Sequence, residues 1–165
     1  MTLFYDAATW QNMPADSHAM LYADGRYAAP VSARRRFAAV RWITVLGGVT
    51  AGTYAGAADY EPGNPVYGNP GALRAWAVKR NAMNCRARPY FDRADAARAW
   101  EQLHDLPNVY PWVATLDNQE WTAEALAANL ADEWGAPIPA DRLWANQYAG
   151  GMTAAYDTSR LFAAW

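Results

Sequence analysis

The chain has 165 residues, a length suited to one domain, and its 53% hydrophobic content is enough for a real core. A net charge of −2 lacks the basic footprint of a nucleic-acid binder or of a protein held on an anionic membrane, and no apolar run approaches a membrane span. The single cysteine, Cys85, excludes an intrachain disulfide, and the distant His18 and His104 offer no zinc set.

Short apolar runs alternate with helical patterns along the chain. Residues 3–7 read as a first strand ending at Asp6, and residues 19–23 as a second, stopped by Asp24-Gly25. Ser32 caps a short expected helix through Phe37 and Val40. Residues 41–46 form a third expected strand, broken by Gly47-Gly48, and residues 57–61 a fourth. Asn69-Pro70 reads as N-cap and first helical residue of a helix carrying Leu73, Trp76, Ala77 and Arg80. Residues 86–91 give a fifth strand, after which Asp92 caps a helix with Ala96, Ala97, Trp100 and Leu103 on its apolar stripe. Residues 110–116 give a sixth strand, and Thr122 opens a helix with Leu126, Leu130 and Trp134 four residues apart. Residues 143–148 give a seventh strand, and the Gly150-Gly151 turn leads to a short eighth, residues 154–157, ending at Asp157. Cys85 reads as a small buried apolar residue.

Strands alternating with helices imply βα units, and eight strands suggest closure into a barrel. A full (β/α)8 barrel takes about 250 residues. The expected fold is therefore a single α/β domain over residues 1–165, a compact, reduced (β/α)8-type TIM barrel with some helices lost.

Asp59-Tyr60-Glu61 is the most informative stretch. Residues i and i+2 of a strand face the same side, roughly 6.5–7 Å apart. Two acids so placed meet desolvation and mutual repulsion, and acid/base work on a glycosidic bond is one reason to place them so. Asp6, Asp59, Glu61 and Asp157 all fall at expected strand ends, which in a parallel barrel converge on the active face. Each acid alone has a plainer role: Asp6 and Asp59 as loop or turn acceptors, Asp157 as a helix cap. The Arg34-Arg35-Arg36 run reads as a solvated face.

The ordered set resembles the glycoside hydrolase family 25 lysozymes and related barrels. Asp6 resembles that family's first-strand Asp, Asp59 and Glu61 its Asp-x-Glu at the end of the fourth strand, and Asp157 its last-strand Asp. Pro89-Tyr90-Phe91, Trp112-Val113-Ala114, Trp144 through Gln147-Tyr148, and Ala155-Tyr156-Asp157-Thr158 resemble the family's fifth, sixth, seventh and closing strands. The chain departs from the family in being shorter, in reading Ile43-Thr44-Val45-Leu46 where an aromatic-His pattern is usual, and in following Asp6 with Ala7-Ala8-Thr9-Trp10.

The resemblance implies a muramidase cutting the β-1,4 bond of peptidoglycan. Glu61 would be the general acid. Asp59 would stabilise developing positive charge or orient the substrate N-acetyl group, and Asp6 and Asp157 would hold the acid network. Tyr90, Trp112, Trp144 and Tyr148 would form stacking walls, and Asp117 would bond sugar hydroxyls. No metal or cofactor is implied. The expected partner is peptidoglycan or another polysaccharide, not nucleic acid or membrane. The start lacks the pattern of a signal peptide, so cytoplasmic synthesis is expected, with action at the cell wall or on a phage particle. Only Lys79 is lysine among 14 basic residues, a bias suggesting a GC-rich actinobacterial or actinophage genome. The alternative is a catalytically inactive barrel serving as a structural or sugar-binding module, for example among virion proteins. Converging acids beside accessible aromatics favour the enzyme, and acids splayed apart or paired with Arg26, Arg88 or Arg93 favour the module.

Overall fold

The structure, a computed structural model, describes residues 2–45, 55–69, 71–150 and 154–163. Eight strands close a barrel in sequence order: β1 (Leu3–Asp6), β2 (His18–Tyr22), β3 (Ala39–Thr44), β4 (Ala57–Asp59), β5 (Arg88–Asp92), β6 (Trp112–Ala114), β7 (Ala145–Ala149) and β8 (Asp157–Leu161). Neighbouring strands from β1 to β7 pair in parallel, whereas β8 runs antiparallel to both β7 and β1. The fold is mixed α/β, and the expected all-parallel barrel is corrected at its last strand.

The placement of β8 is corrected too. Residues 154–156 precede the strand, and Asp157 begins it. Two changes cancel here. The start of an antiparallel strand lies on the same rim as the ends of its parallel neighbours, so Asp157 still faces Asp6 directly across the β1–β8 pair.

The helical shell covers one side. The α-helices are α1 (Pro65–Gly68), α2 (Ala72–Ala82), α3 (Ala96–Glu101) and α4 (Ala123–Trp134), all in the connections after β4, β5 and β6. Their apolar faces pack on the outward side chains of those strands in a cluster including Leu73, Trp76, Phe91, Trp100, Val113, Leu126 and Leu130. Around β1 to β3 the cover is thinner, formed by Met13, Ala33 and Phe37 against Ala19 and Leu21. The helix expected from Ser32 is a 3-10 segment, Val31–Arg36, entered from Pro30. Within it Arg36 turns back to donate to the Met13 carbonyl at 3.0 Å.

Local signals explain the helix ends. Thr122 accepts from the Ala125 amide at 3.2 Å, and Gly135 ends α4 in the left-handed region at φ 63°. Asp92 accepts from the Ala94 amide at 2.8 Å, opening the 3-10 turn that leads into α3. The expected Asn69 cap is corrected: Gly71 precedes α2, while Asn64-Pro65 opens the one-turn α1. Cys85 is only partly buried, its thiol near the Met83 carbonyl, because it sits in the turn after α2 rather than in a strand. Leu46, the Gly47-Gly48 break, Gly52, Pro70 and Gly151 lie outside the described residues. Among the described residues no helix is long and apolar enough to cross a membrane.

Inside the barrel, Phe4, Met20, Ile43, Ala57, Trp112, Ala114 and Trp144 fill the middle. The Trp112 ring lies 5.0 Å from Phe4, 4.4 Å from Tyr90 and 6.2 Å from Trp144, and its indole N–H donates to Ser159 Oγ at 3.0 Å. Both tryptophans are fully buried. They are barrel filling, and the expected stacking role for Trp112 and Trp144 is corrected: an eight-stranded barrel has room inside only for side chains.

Candidate active site

At the rim above this filling, strand alternation sorts the side chains. Tyr60 turns outward into the helix-covered core, and its amide continues the ladder to the Tyr90 carbonyl at 2.8 Å. Asp59 and Glu61, on either side of it, share the opposite face. Asp59 is 2% exposed and Asp6 5% exposed, while Glu61 and Asp157 are half-buried. Tyr22, the last residue of β2, donates its hydroxyl to Asp59 Oδ2 at 3.1 Å. Tyr90 lies beside Asp59 in register on β5 and hydrogen-bonds Glu61.

The four acids lie close enough to perturb one another. Burial holds Asp6 well above the usual carboxylate range, reinforced by the charges of Asp157, Asp59 and Glu61. Burial and then the Glu61 charge raise Asp59 to about 8, against the opposing hydrogen bonds from Tyr22 and Asn64. Burial also raises Glu61, although the Tyr90 hydrogen bond pulls it down. Tyr22 and Tyr90 are pushed up by burial and by the acids around them. Such a cluster holds protons at neutral pH, because desolvation and like charge both disfavour full ionisation. Asp6 Oδ1 and Asp59 Oδ1 are buried without a hydrogen-bond partner among the described residues. Among those residues no arginine pairs with Asp6, Asp59 or Glu61.

Two clefts open on this rim. One, of about 730 Å³, contains Asp6, Asp157, Glu61, Tyr90, Gln147 and Tyr156. The other, of about 500 Å³, contains Asp59, Glu61, Arg26 and Asn64. Tyr22, Tyr27 and Glu61 line both, so Glu61 stands where the clefts meet. The wall of the smaller cleft is braced by Asp24, which accepts from the Thr44 hydroxyl and from the Val45 amide. Asp157 packs against the bare Cα of Gly150, at φ 134°, where a Cβ would overlap its carboxylate.

Of the remaining candidates, Asp117 and Tyr148 fall away from the clefts. Tyr90 belongs to the site through its hydroxyl, with its ring packed on Trp112 rather than offered to a ligand. Asp117 is engaged on both oxygens: Oδ1 accepts from Thr115 Oγ1 and the Gln119 amide, and Oδ2 from Arg93 and the Trp121 indole. Those bonds stitch the loop after β6, and Asp117 lines neither cleft. Tyr148 hydrogen-bonds Glu120 and lines neither cleft.

Sequence reasoning does not single out Tyr22 and Tyr27. Tyr22 carried a usable signal, since it ends β2 at the topological level where Asp6 ends β1. Tyr27 lies in an irregular loop and carried none. Among the described residues no group of three or more His, Cys, Asp or Glu is placed to hold a metal ion. Compared with known proteins, the chain matches no protein-family model, no curated protein and no solved structure.

Proposed function

We propose that this chain is a peptidoglycan-degrading glycosidase of the muramidase kind, on a reduced (β/α)8-type barrel related to the family 25 lysozymes. The observation that carries the reading is Glu61, a carboxyl at the junction of two clefts whose proton affinity is raised by burial. A glycan laid along the groove puts sugars in both clefts and its bridging oxygen over Glu61. Glu61 gives its proton to that oxygen as the C1–O bond breaks, and positive charge develops on the sugar ring. Asp59, fixed from beneath by Tyr22, offers an acceptor to orient the substrate's acetamido N–H. Asp6 and Asp157, facing each other across β1 and β8, hold the acid network from the opposite side of the mouth. Water completes the hydrolysis at C1, with the Glu61 carboxylate taking its proton.

The burial of Trp112 and Trp144 favours a second reading, a non-hydrolytic sugar-binding or structural barrel such as a virion component. It leaves tyrosines as the aromatic rings along the groove. One assay separates the two. Wild type and Glu61→Gln are incubated with purified actinobacterial walls, and reducing ends are counted. The enzyme reading expects release by wild type and a loss of about 10²–10⁴-fold in the variant, the usual worth of a general acid. Wall binding without reducing ends from wild type establishes the second reading. Equal release by both proteins removes Glu61 as the acid.

A further inference from the structure

The opposite mouth of the barrel carries the opposite charge. Arg88 begins β5 two residues before Tyr90, and Arg41 lies in β3 two residues before Ile43. Tyr90 and Ile43 both belong to the interior cluster, so strand alternation turns both arginines inward at the N-terminal mouth. Arg86 precedes β5 at the surface, and Arg80, from the last turn of α2, donates to the Arg86 carbonyl from Nε and Nη2 at 3.2 and 3.0 Å. Four guanidinium groups thus gather at one end of the barrel.

Arg88 is the informative member. It is 4% exposed, and its Nε is buried without a hydrogen-bond partner among the described residues. Its guanidinium lies 4.8 Å from the centre of the buried Trp144 ring. A ring contact satisfies the face of a guanidinium but leaves its in-plane N–H groups to find acceptors elsewhere. Among the described residues no carboxylate forms an ion pair with Arg88. Burial, then the charges of Arg41, Arg86 and Arg80, pushes Arg88 down to about 9. Burial followed by the Arg86 and Arg80 charges lowers Arg41 as well. A buried cation among like charges is costly unless an anion completes it.

We propose that the N-terminal mouth of the barrel binds a phosphate-type oxyanion, held by Arg88 and Arg86 with the charges of Arg41 and Arg80 behind them. The planar, multiply donating guanidinium matches a tetrahedral oxyanion better than any other side chain. The site lies at the other end of the barrel from Glu61 and does not depend on the glycosidase reading.

Calorimetric titration of the folded chain with inorganic phosphate and, separately, dimethyl phosphate tests it, with sodium chloride at matched ionic strength as control. The expected result is one saturable site, with Tm rising by about 5 °C at a hundredfold excess over Kd. Arg88→Met and the surface substitution Arg86→Gln are each expected to weaken binding at least about tenfold, within the range for a charged hydrogen bond. Arg86→Gln keeps the test decisive where Arg88→Met fails to fold. Saturation by inorganic phosphate alone assigns the site to a free phosphate, and saturation by dimethyl phosphate as well assigns it to a phosphodiester; both support the proposal. Saturation by neither, or unchanged affinity in Arg86→Gln, overturns it.

Discussion

Glu61 reaches both clefts, while Asp59 and Asp6 lie behind it, almost without contact with solvent. In the glycosidase reading Glu61 is the acid that meets the bridging oxygen, and burial is the main cause of its raised proton affinity. Tyr90 acts against burial, because its hydroxyl stabilises the charged form of Glu61. Removing that hydroxyl raises the Glu61 pKa further. In the glycosidase reading the acid must carry its proton, so activity falls as pH rises through that pKa. Tyr90→Phe is therefore expected to move the alkaline limb of the kcat/KM profile to higher pH, measured as reducing ends released from cell walls. A limb that stays in place, or moves toward lower pH, removes the Tyr90–Glu61 bond from the account. The acids themselves were legible in the sequence by their positions at strand ends. Trp112, Trp144 and Asp117 were not, because an aromatic ring or a carboxylate on a strand reads the same whether it faces a ligand or a packed neighbour.

Among the elements, β8 decides whether the site exists. Its antiparallel entry puts Asp157 opposite Asp6, and Gly150 makes room for the Asp157 carboxylate just before that entry. Gly150→Ala adds a Cβ into the carboxylate at a φ of 134°, where side chains are strained. The variant is expected to lose about 1–3 kcal/mol, the cost of such backbone strain, read as a lower melting temperature. In the glycosidase reading, release of reducing ends from walls falls with it, because Asp157 is displaced from the rim. Unchanged melting and activity together would show that Asp157 does not depend on this approach. The capped helices were readable from Thr122 and Asp92, whose side chains bond the amides their positions suggest. The 3-10 segment Val31–Arg36 was not, since its backbone follows from Pro30 and the short path to β3 rather than from any apolar period.

Across the whole molecule the acid rim opposes stability. Asp59 is raised to about 8 by burial and by Glu61, whereas an unfolded Asp titrates near about 3.9. The folded chain therefore binds more protons than the unfolded chain between these values, and stability falls as pH rises through that window. Asp59→Asn keeps an acceptor for Tyr22 and removes the titration. Its melting temperature is expected to exceed that of wild type by about 5 °C at pH 8, for a gain of about 2 kcal/mol, and to converge with wild type toward pH 4. A difference that does not change with pH would sink the assignment of this cost to Asp59. The arginine mouth is the counterpart at the other end: Arg88 sits on Trp144, while Asp59 sits beside Tyr90 at the acid rim. The barrel thus holds opposite charges apart along its axis, with apolar filling between them.

By itself the sequence determined seven of the eight strand segments, the capped helices after the fifth and sixth strands, and a set of acids near strand ends. These are local properties, written in periodicity of two or four residues and in capping side chains. Only the tertiary structure decided that β8 runs backwards, that Trp112 and Trp144 face inward, and that Asp6 and Asp157 meet across a strand pair. An alternating pattern is the same read in either direction, so it carries no strand polarity. Whether an aromatic ring is wall or filling depends on which side of a closed barrel it falls. Closure also brings together acids that are distant along the chain, and their raised proton affinities arise only when burial and neighbouring charge act together.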